Sequence, residues 1–362
     1  MVYSTTKEIE SWVNTMPEEL QNSYYRFKRV SEVLTKDPEP QVGLTPKEVI
    51  WTKNKTKLYR YQPALKKTNK VPLLMIYALI NKPYILDLTP GNSLIEYLTN
   101  QGHDVYLLDW GTPGYEDRNM KLDDYILDYI PRAVKKVLRT SGADEISLLG
   151  YCMGGTMTSI FAALHPDLPI RNIIFLTSPF DFSDTGLFSN WLDERYFNLD
   201  KLVDVFGNIP PETIDLGNKL LKPLVNYIGP YMTLAERVEN EDFVKNWTLM
   251  QKWVNDGVPF PGEAYRQWIG EFYQKNKLVK DELVIRGHQV HLSNIKANIL
   301  NIAAQRDHIA APEQVQPLMD KVSSKDKTFH VLPTGHVSVV VGGTASRKTY
   351  PLIDKWLIEH SK

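Results

Sequence analysis

The sequence predicts an α/β protein: a mostly parallel sheet with helices on both faces, interrupted by a mainly helical cap. Three observations carry this. From about residue 70 to 180, short apolar runs alternate with helical patterns at the spacing of βαβ units. The strand candidates are apolar at nearly every residue, as parallel strands covered on both faces must be. After Pro179 the strand runs stop, and they resume only near residue 297.

In chain order, residues 1–45 form an N-terminal helical arm. Over 1–35 charged and apolar residues recur at helical spacing, and Ile9, Trp12, Val13, Tyr24, Phe27, Val30 and Val33 share one face. That face either packs on the chain's own core or meets a partner subunit. "KDPEPQVGLT" (36–45) is a Pro/Gly break.

The catalytic core spans 46–179 and 289–362. "TKLYRY" alternates like an exposed strand, and "VPLLMIYALI" (71–80) reads as a buried one. "SLIEYLTNQG" is a helix ended by Gly102, and "HDVYLLDWG" is the next strand. "DYILDYIPRAVKKVLRTSG" is a helix stopped at Gly142. "EISLLG", "GGTMTSIFAALH" and "RNIIFLTSP" continue as strand, helix and strand. Residues 180–288 form the cap, which is helical in pattern, lacks strand runs and holds Trp191, Trp247, Trp253 and Trp268. "ANILNIAAQRD", "KTFHVLPTGH" and "TYPLIDKWLIEHS" close the core with two strands and a helix.

Composition narrows the function. Over 362 residues, apolar content is 43% and charged content 23%, and the net charge is −1. There is no basic footprint for nucleic acid or for anionic lipid. No signal-peptide pattern and no run of about 18 apolar residues is visible, so no transmembrane segment is expected and the expected location is cytoplasmic. The single cysteine excludes an intramolecular disulfide framework and a multi-cysteine metal site.

That cysteine is Cys152, in "ISLLGYCMGGTM", between Gly150 and Gly154. The pattern is that of a nucleophile elbow with Cys in place of Ser, a sharp strand-to-helix turn that lifts the side chain above the sheet. The glycines are needed because a Cβ at either position would collide where strand and helix cross. The helix aims its positive dipole end at the sulfur and favours the thiolate. The Met153 N–H points into the site as an oxyanion donor.

A thiol nucleophile needs a base, and the base needs an orienting acid. In an α/β-hydrolase-like chain order the acid precedes the histidine, each after a strand. Asp307 in "QRDHIAAP" and His336 in "PTGHVSV" meet both conditions. His308 is a weaker candidate base because the base arrives on the last loop. Asp181 and Asp184 are rival acids. The second oxyanion donor is assigned to the Leu79 N–H, in the loop after "VPLLMIYA". Asn81 and Asp109 read as turn and loop anchors.

Five segments together resemble the polyhydroxyalkanoate synthases: "YALINKPYILDL" (77–88), "YLLDWGTP" (106–113), "LLGYCMGG" (148–155), "RDHIAAP" (306–312) and "PTGHVSVVVGG" (333–343). The resemblance runs from about 70 to 180 and from 295 to the end. The family's nucleophile, acid and base fall on Cys152, Asp307 and His336, the residues picked above. The resemblance implies an acyltransferase that polymerises (R)-3-hydroxyacyl-coenzyme A into polyhydroxyalkanoate and releases coenzyme A. The coenzyme A thioester is then substrate, and no cofactor is expected. The chain's length resembles the two-component enzymes of the family, which implies a second, non-homologous subunit; the sequence leans to the type found in bacilli without deciding it. A homo-oligomer at the surface of the polyester granule is also implied.

The choice of thiol has a chemical reason. A cysteine acyl-enzyme is a thioester, close in energy to the acyl-coenzyme A that loads it, so the acyl group keeps its transfer potential. Two other readings stay open at this point: a cysteine hydrolase, of dienelactone-hydrolase or polyester-depolymerase type, and an inactive α/β scaffold for granule or partner binding.

Overall fold

The computed structural model describes residues 6–35, 40–63 and 69–361. The first part of the Pro/Gly break, residues 36–39, and the first five residues lie outside that range.

Eight strands form the main sheet: β1 (Glu48–Lys53), β2 (Thr56–Tyr61), β3 (Leu73–Ile76), β4 (Val105–Asp109), β5 (Ile146–Tyr151), β6 (Ile170–Leu176), β7 (Asn298–Ala304) and β8 (Lys327–Leu332). Their order is β1-β2-β4-β3-β5-β6-β7-β8. β1, β2 and β4 pair antiparallel, and every pairing from β4 through β3 to β8 is parallel. β3 and β5 are buried at every position, as strands with both faces covered must be. The β1–β2 hairpin turns at Asn54, whose φ of 52° is a conformation Asn tolerates better than most residues.

Helix boundaries follow local chemistry. Ser93 caps helix Leu94–Asn100, its side chain accepting from the Glu96 N–H at 2.9 Å. Helix Ile130–Ser141 follows a π-helical turn at Tyr125–Tyr129 and ends at Gly142, which takes φ 68° as a left-handed cap. Helix Met153–Leu164 is buried at all but its last residue and crosses the sheet closely. An added Cβ on Gly150 would lie 2.7 Å from the Gly155 nitrogen. One on Gly154 would lie 2.7 Å from the Tyr77 carbonyl carbon and collide with the Ile76 carbonyl oxygen. One on Gly155 would overlap the Ser178 side chain. The sequence reading assigned this crossing to Gly150 and Gly154; Gly155 is the third member.

By packing, the chain divides into two units: Met1–Gln41 with Leu216–Asn255, and Val42–Asp215 with Asp256–Lys362. In the first, helix Thr6–Val13, helix Glu18–Thr35 and helices Gly229–Arg237 and Glu241–Asn255 pack together. Arg29 pairs with Glu241 at 3.7 Å, and the Trp247 indole donates to the Pro230 carbonyl at 3.0 Å. Of the arm's expected face, Val13 is buried, whereas Ile9, Trp12 and Phe27 are exposed. Trp247 and Trp253 fall in this unit, Trp191 and Trp268 in the other.

The second unit holds the sheet. Its part of residues 180–288 contains short helices such as Leu187–Trp191 and Leu199–Phe206, and a π-helical segment, Trp268–Gln274. It also carries a two-residue strand pair, Val284–Ile285 with His288–Gln289, where the sequence showed no strand. Strands that short leave no periodicity to read. No described helix is long and apolar enough to cross a membrane.

The crossing makes a stability prediction. Gly154→Ala and Gly155→Ala should each lower the unfolding free energy by about 1–3 kcal/mol or more, from overpacking. Gly335→Ala, whose Cβ would meet only the Arg306 carbonyl at 4.0 Å, should be neutral or raise it by about 0.4–1 kcal/mol. Denaturant unfolding of the three variants measures the difference.

Candidate active site

The site begins at the end of β5. Cys152 takes φ 53°, ψ −130°, outside helix and strand alike. Its N–H donates to the Leu176 carbonyl (2.9 Å), and its own carbonyl accepts from the Gly155 N–H (2.9 Å). These bonds tie the turn to β6 on one side and to the new helix on the other. Cys152 is a half-buried free thiol.

Two loops bring its partners. β7 leads to Asp307 and β8 to His336, and the loops are cross-bonded: the Arg306 N–H donates to the Thr334 carbonyl (2.9 Å) and the Arg306 guanidinium to the Pro333 carbonyl (3.0 Å). Both side chains are buried, Asp307 at 6% and His336 at 9% exposure. Asp307 Oδ1 accepts from the N–H groups of Ile309 (2.8 Å) and Ala310 (2.9 Å). Its Oδ2 lies 2.6 Å from His336 Nδ1. With Nδ1 engaged as donor, the other ring nitrogen is left to act on Cys152, whose charge the ring feels.

Burial alone would strip the charge from His336. The Asp307 charge, the Cys152 charge and the hydrogen bond to Asp307 outweigh it and hold the imidazole well above its usual range. Tyr151 packs beneath, its ring centroid 5.6 Å from that of His336, and its hydroxyl donates to the His336 carbonyl (3.2 Å). Burial, then Tyr77, Cys152 and Asp307, push the Tyr151 phenol far up, so it remains a neutral donor.

The structure thus brings Cys152, His336 and Asp307 together. The rival acids are used elsewhere: Asp184 accepts from the Gly186 N–H (2.9 Å), and Asp181 from the Ser183 N–H and the Asn276 side chain (both 2.8 Å). The histidine on the last loop, His336, bonds Asp307. Asp109 accepts from the Gly111 N–H at 2.9 Å, the turn-anchoring role expected of it.

Met153 is the first residue of its helix, where an N–H has no intrahelical acceptor. Leu79 lies buried in the loop after β3. That loop is pinned by the Trp110 indole on the Tyr77 carbonyl (2.9 Å) and by the Val258 N–H on the Ile80 carbonyl (3.0 Å). The close approach of Gly154 to Ile76 and Tyr77 sets the helix start against this loop.

One neighbour was not found from sequence. Tyr273, from the π-helical segment, is pushed up by burial and then by the charge of Cys152, which it lies near enough to feel. An aromatic among many in a helical stretch carries no signal of its own.

Comparison with known proteins gives first a class. Residues 71–342 match the family model for the alpha/beta hydrolase fold. The monoacylglycerol lipase of Paleococcus ferrophilus superposes with TM-score 0.53 at 17% identity, covering 84% of this chain and 99% of that one. A thermophilic esterase from Thermogutta terrifontis superposes with TM-score 0.50 at 13% identity, covering 88% and 100%. These likenesses establish the fold, and the site makes this an α/β-hydrolase-fold protein with cysteine at the elbow.

Residues 37–98 match the model for the Poly-beta-hydroxybutyrate polymerase (PhaC) N-terminus. The Poly(3-hydroxyalkanoate) polymerase subunit PhaC of Haloferax mediterranei is 42% identical over 338 residues, 93% of this chain and 67% of the relative. Those of a Synechocystis strain and of Allochromatium vinosum are each 38% identical, covering 88% of this chain and 86% and 89% of theirs. The chain belongs to the poly(3-hydroxyalkanoate) polymerase (PhaC) family.

The raised His336 value has a pH consequence. A group whose folded pKa is raised contributes stability that is complete below its unfolded value, about 6.5. That contribution is lost as pH rises through the folded value. The gap in unfolding free energy between wild type and Asp307→Asn should therefore be larger near about pH 6 than in the alkaline range. A gap that widens with rising pH would contradict the charged pair.

Proposed function

We propose that the chain is the catalytic subunit of a polyhydroxyalkanoate synthase, polymerising (R)-3-hydroxyacyl groups from coenzyme A through a thioester on Cys152. The observation that carries the reading is the Asp307–His336 hydrogen bond, with the imidazole coupled electrostatically to Cys152 at a strained elbow, in a chain of the PhaC family.

In the first half of the cycle, His336 Nε2 takes the Cys152 proton. The thiolate adds to the acyl carbonyl carbon of the coenzyme A thioester, and the oxyanion that forms accepts from the Met153 and Leu79 N–H groups. The bond to the coenzyme A sulfur breaks, and the imidazolium returns its proton to that sulfur. In the second half, the 3-hydroxyl of another unit gives its proton to His336 and adds to the Cys152 thioester. The cysteine sulfur leaves and is reprotonated, and one ester bond has formed. Asp307 holds the imidazole tautomer and offsets its charge.

Cysteine favours this over hydrolysis because the acyl-enzyme remains as reactive toward an alcohol as the coenzyme A ester that loaded it. No cofactor takes part; coenzyme A enters and leaves with the substrate. Names that call the relatives subunits support a second, non-homologous synthase subunit as partner. An apolar, insoluble product supports a working location at the granule surface, in the cytoplasm, and a homo-oligomer there completes the reading.

Two outcomes test the reading. Cys152→Ala should abolish both polyester formation and acyl labelling from 3-hydroxybutyryl-coenzyme A, whereas Cys152→Ser should keep little polymerase activity and show ester hydrolysis; retained labelling in the alanine variant would refute the thioester. Turnover of the wild type, alone and with candidate second subunits, should yield insoluble polyester. Free hydroxy acid as the sole product would indicate a hydrolase instead.

A further inference from the structure

The loop after β6 and the end of the Trp268–Gln274 segment are joined by one side chain. Asn276 takes a left-handed φ of 49° and is 7% exposed. Its Oδ1 accepts from the Phe182 N–H (2.8 Å), and its Nδ2 donates to Asp181 Oδ1 (2.8 Å). The amide is thus spent on a single dipeptide, Asp181–Phe182. Its backbone N–H donates to the Phe272 carbonyl at 2.8 Å, which fixes the turn to the segment before it.

What the clip holds is an aromatic cluster within electrostatic range of the thiol. The Phe182 ring packs edge-on against Tyr273, with centroids 5.0 Å apart, and against Trp268 at 5.6 Å. The Trp268 and Tyr273 rings also lie edge-on, with centroids 6.4 Å apart, and Tyr273 is close enough to Cys152 to feel its charge. The other end of the dipeptide is tied to the acid loop. The N–H groups of Phe180 and Asp181 donate to the Gln314 carbonyl (2.9 and 3.1 Å), and Gln314 Oε1 accepts from the Ala311 N–H (3.0 Å).

We infer that Asn276 is a positioning residue: by clipping Asp181–Phe182 to the turn after the Tyr273 segment, it holds Tyr273 in place near Cys152 and keeps water off the acyl-enzyme. The inference rests on the acyl-transfer reading above. The competing step it suppresses is addition of water to the Cys152 thioester carbonyl, which breaks the C–S bond and releases the free 3-hydroxy acid and the thiol. An amide is required at this position. A carboxylate could still accept from Phe182 but would face Asp181 with a second negative charge and no donor.

The test is Asn276→Asp, set beside wild type and a double variant that adds Asp181→Asn and so exchanges donor and acceptor. Three quantities are read: the fraction of 3-hydroxybutyryl groups released as free acid, the ratio of Cys152 alkylation rates by a bulky maleimide and by iodoacetamide, and the thermal midpoint. Losing the bond should raise the first two about fivefold or more in the single variant, and the double variant should restore both. Wild-type ratios in a folded single variant would overturn the inference. So would a double variant that regains the thermal midpoint but not the ratios, since that is a purely structural role. If the wild type forms no polyester, the acyl-transfer reading fails and, with it, the water-exclusion role; the alkylation ratio then still decides whether the clip holds Tyr273 in place. Should Asn276→Asp not fold, Tyr273→Leu removes what the clip holds and must raise the same two ratios; unchanged values overturn the inference.

Discussion

One backbone conformation governs this site. At Cys152 the chain must leave β5 and enter a helix within a single residue, and it does so at φ 53°, ψ −130°. A non-glycine residue held there carries strain of about 1–3 kcal/mol. The surroundings over-determine it: a bond to the Leu176 carbonyl, a bond from the Gly155 N–H, and three glycines that let helix, strand and the β3 loop approach to near contact. The strain is what presents the sulfur. In a relaxed strand or helix the thiol would turn into the packed interior, where lone cysteines ordinarily reside.

Everything else converges on that turn through sheet order. β5, β6, β7 and β8 are consecutive neighbours, so the loops that follow them open at the same edge. The acid and base loops are bonded to each other before either meets the cysteine. Asp307 is fixed by two N–H groups of its own loop, leaving one oxygen for the imidazole. The imidazole is fixed in turn on Nδ1. Each group is held by the one behind it, which is how a site at loop ends acquires the rigidity that acyl transfer needs.

How much of this was legible depends on the length of the pattern. β4 and β7 lie within the segments read as strands, and β5 and β6 overrun theirs by one residue each, at Tyr151 and Ile170; all four are largely apolar. The stretch 71–80 reads as one strand, yet only Leu73–Ile76 pairs; its apolar remainder is a buried loop, and burial rather than pairing accounts for the composition. Cys152, Asp307 and His336 were legible because each sits at a strand end flanked by turn residues. Gly155 was visible but unassigned, since an elbow motif requires only Gly150 and Gly154. Tyr273 and Asn276 were not legible: their significance comes from the nearby charge of Cys152 and from bonds to Asp181–Phe182, about 95–120 residues away, and no local periodicity encodes such a distance.

The most direct test of the account is the pH dependence of Cys152 alkylation by iodoacetamide, in wild type and in His336→Ala. His336 acts as the base for Cys152 in this account, so loss of the ring should slow alkylation at neutral pH about tenfold or more. Identical profiles for the two proteins would mean that His336 does not act on Cys152, and the arrangement described would have no chemical consequence.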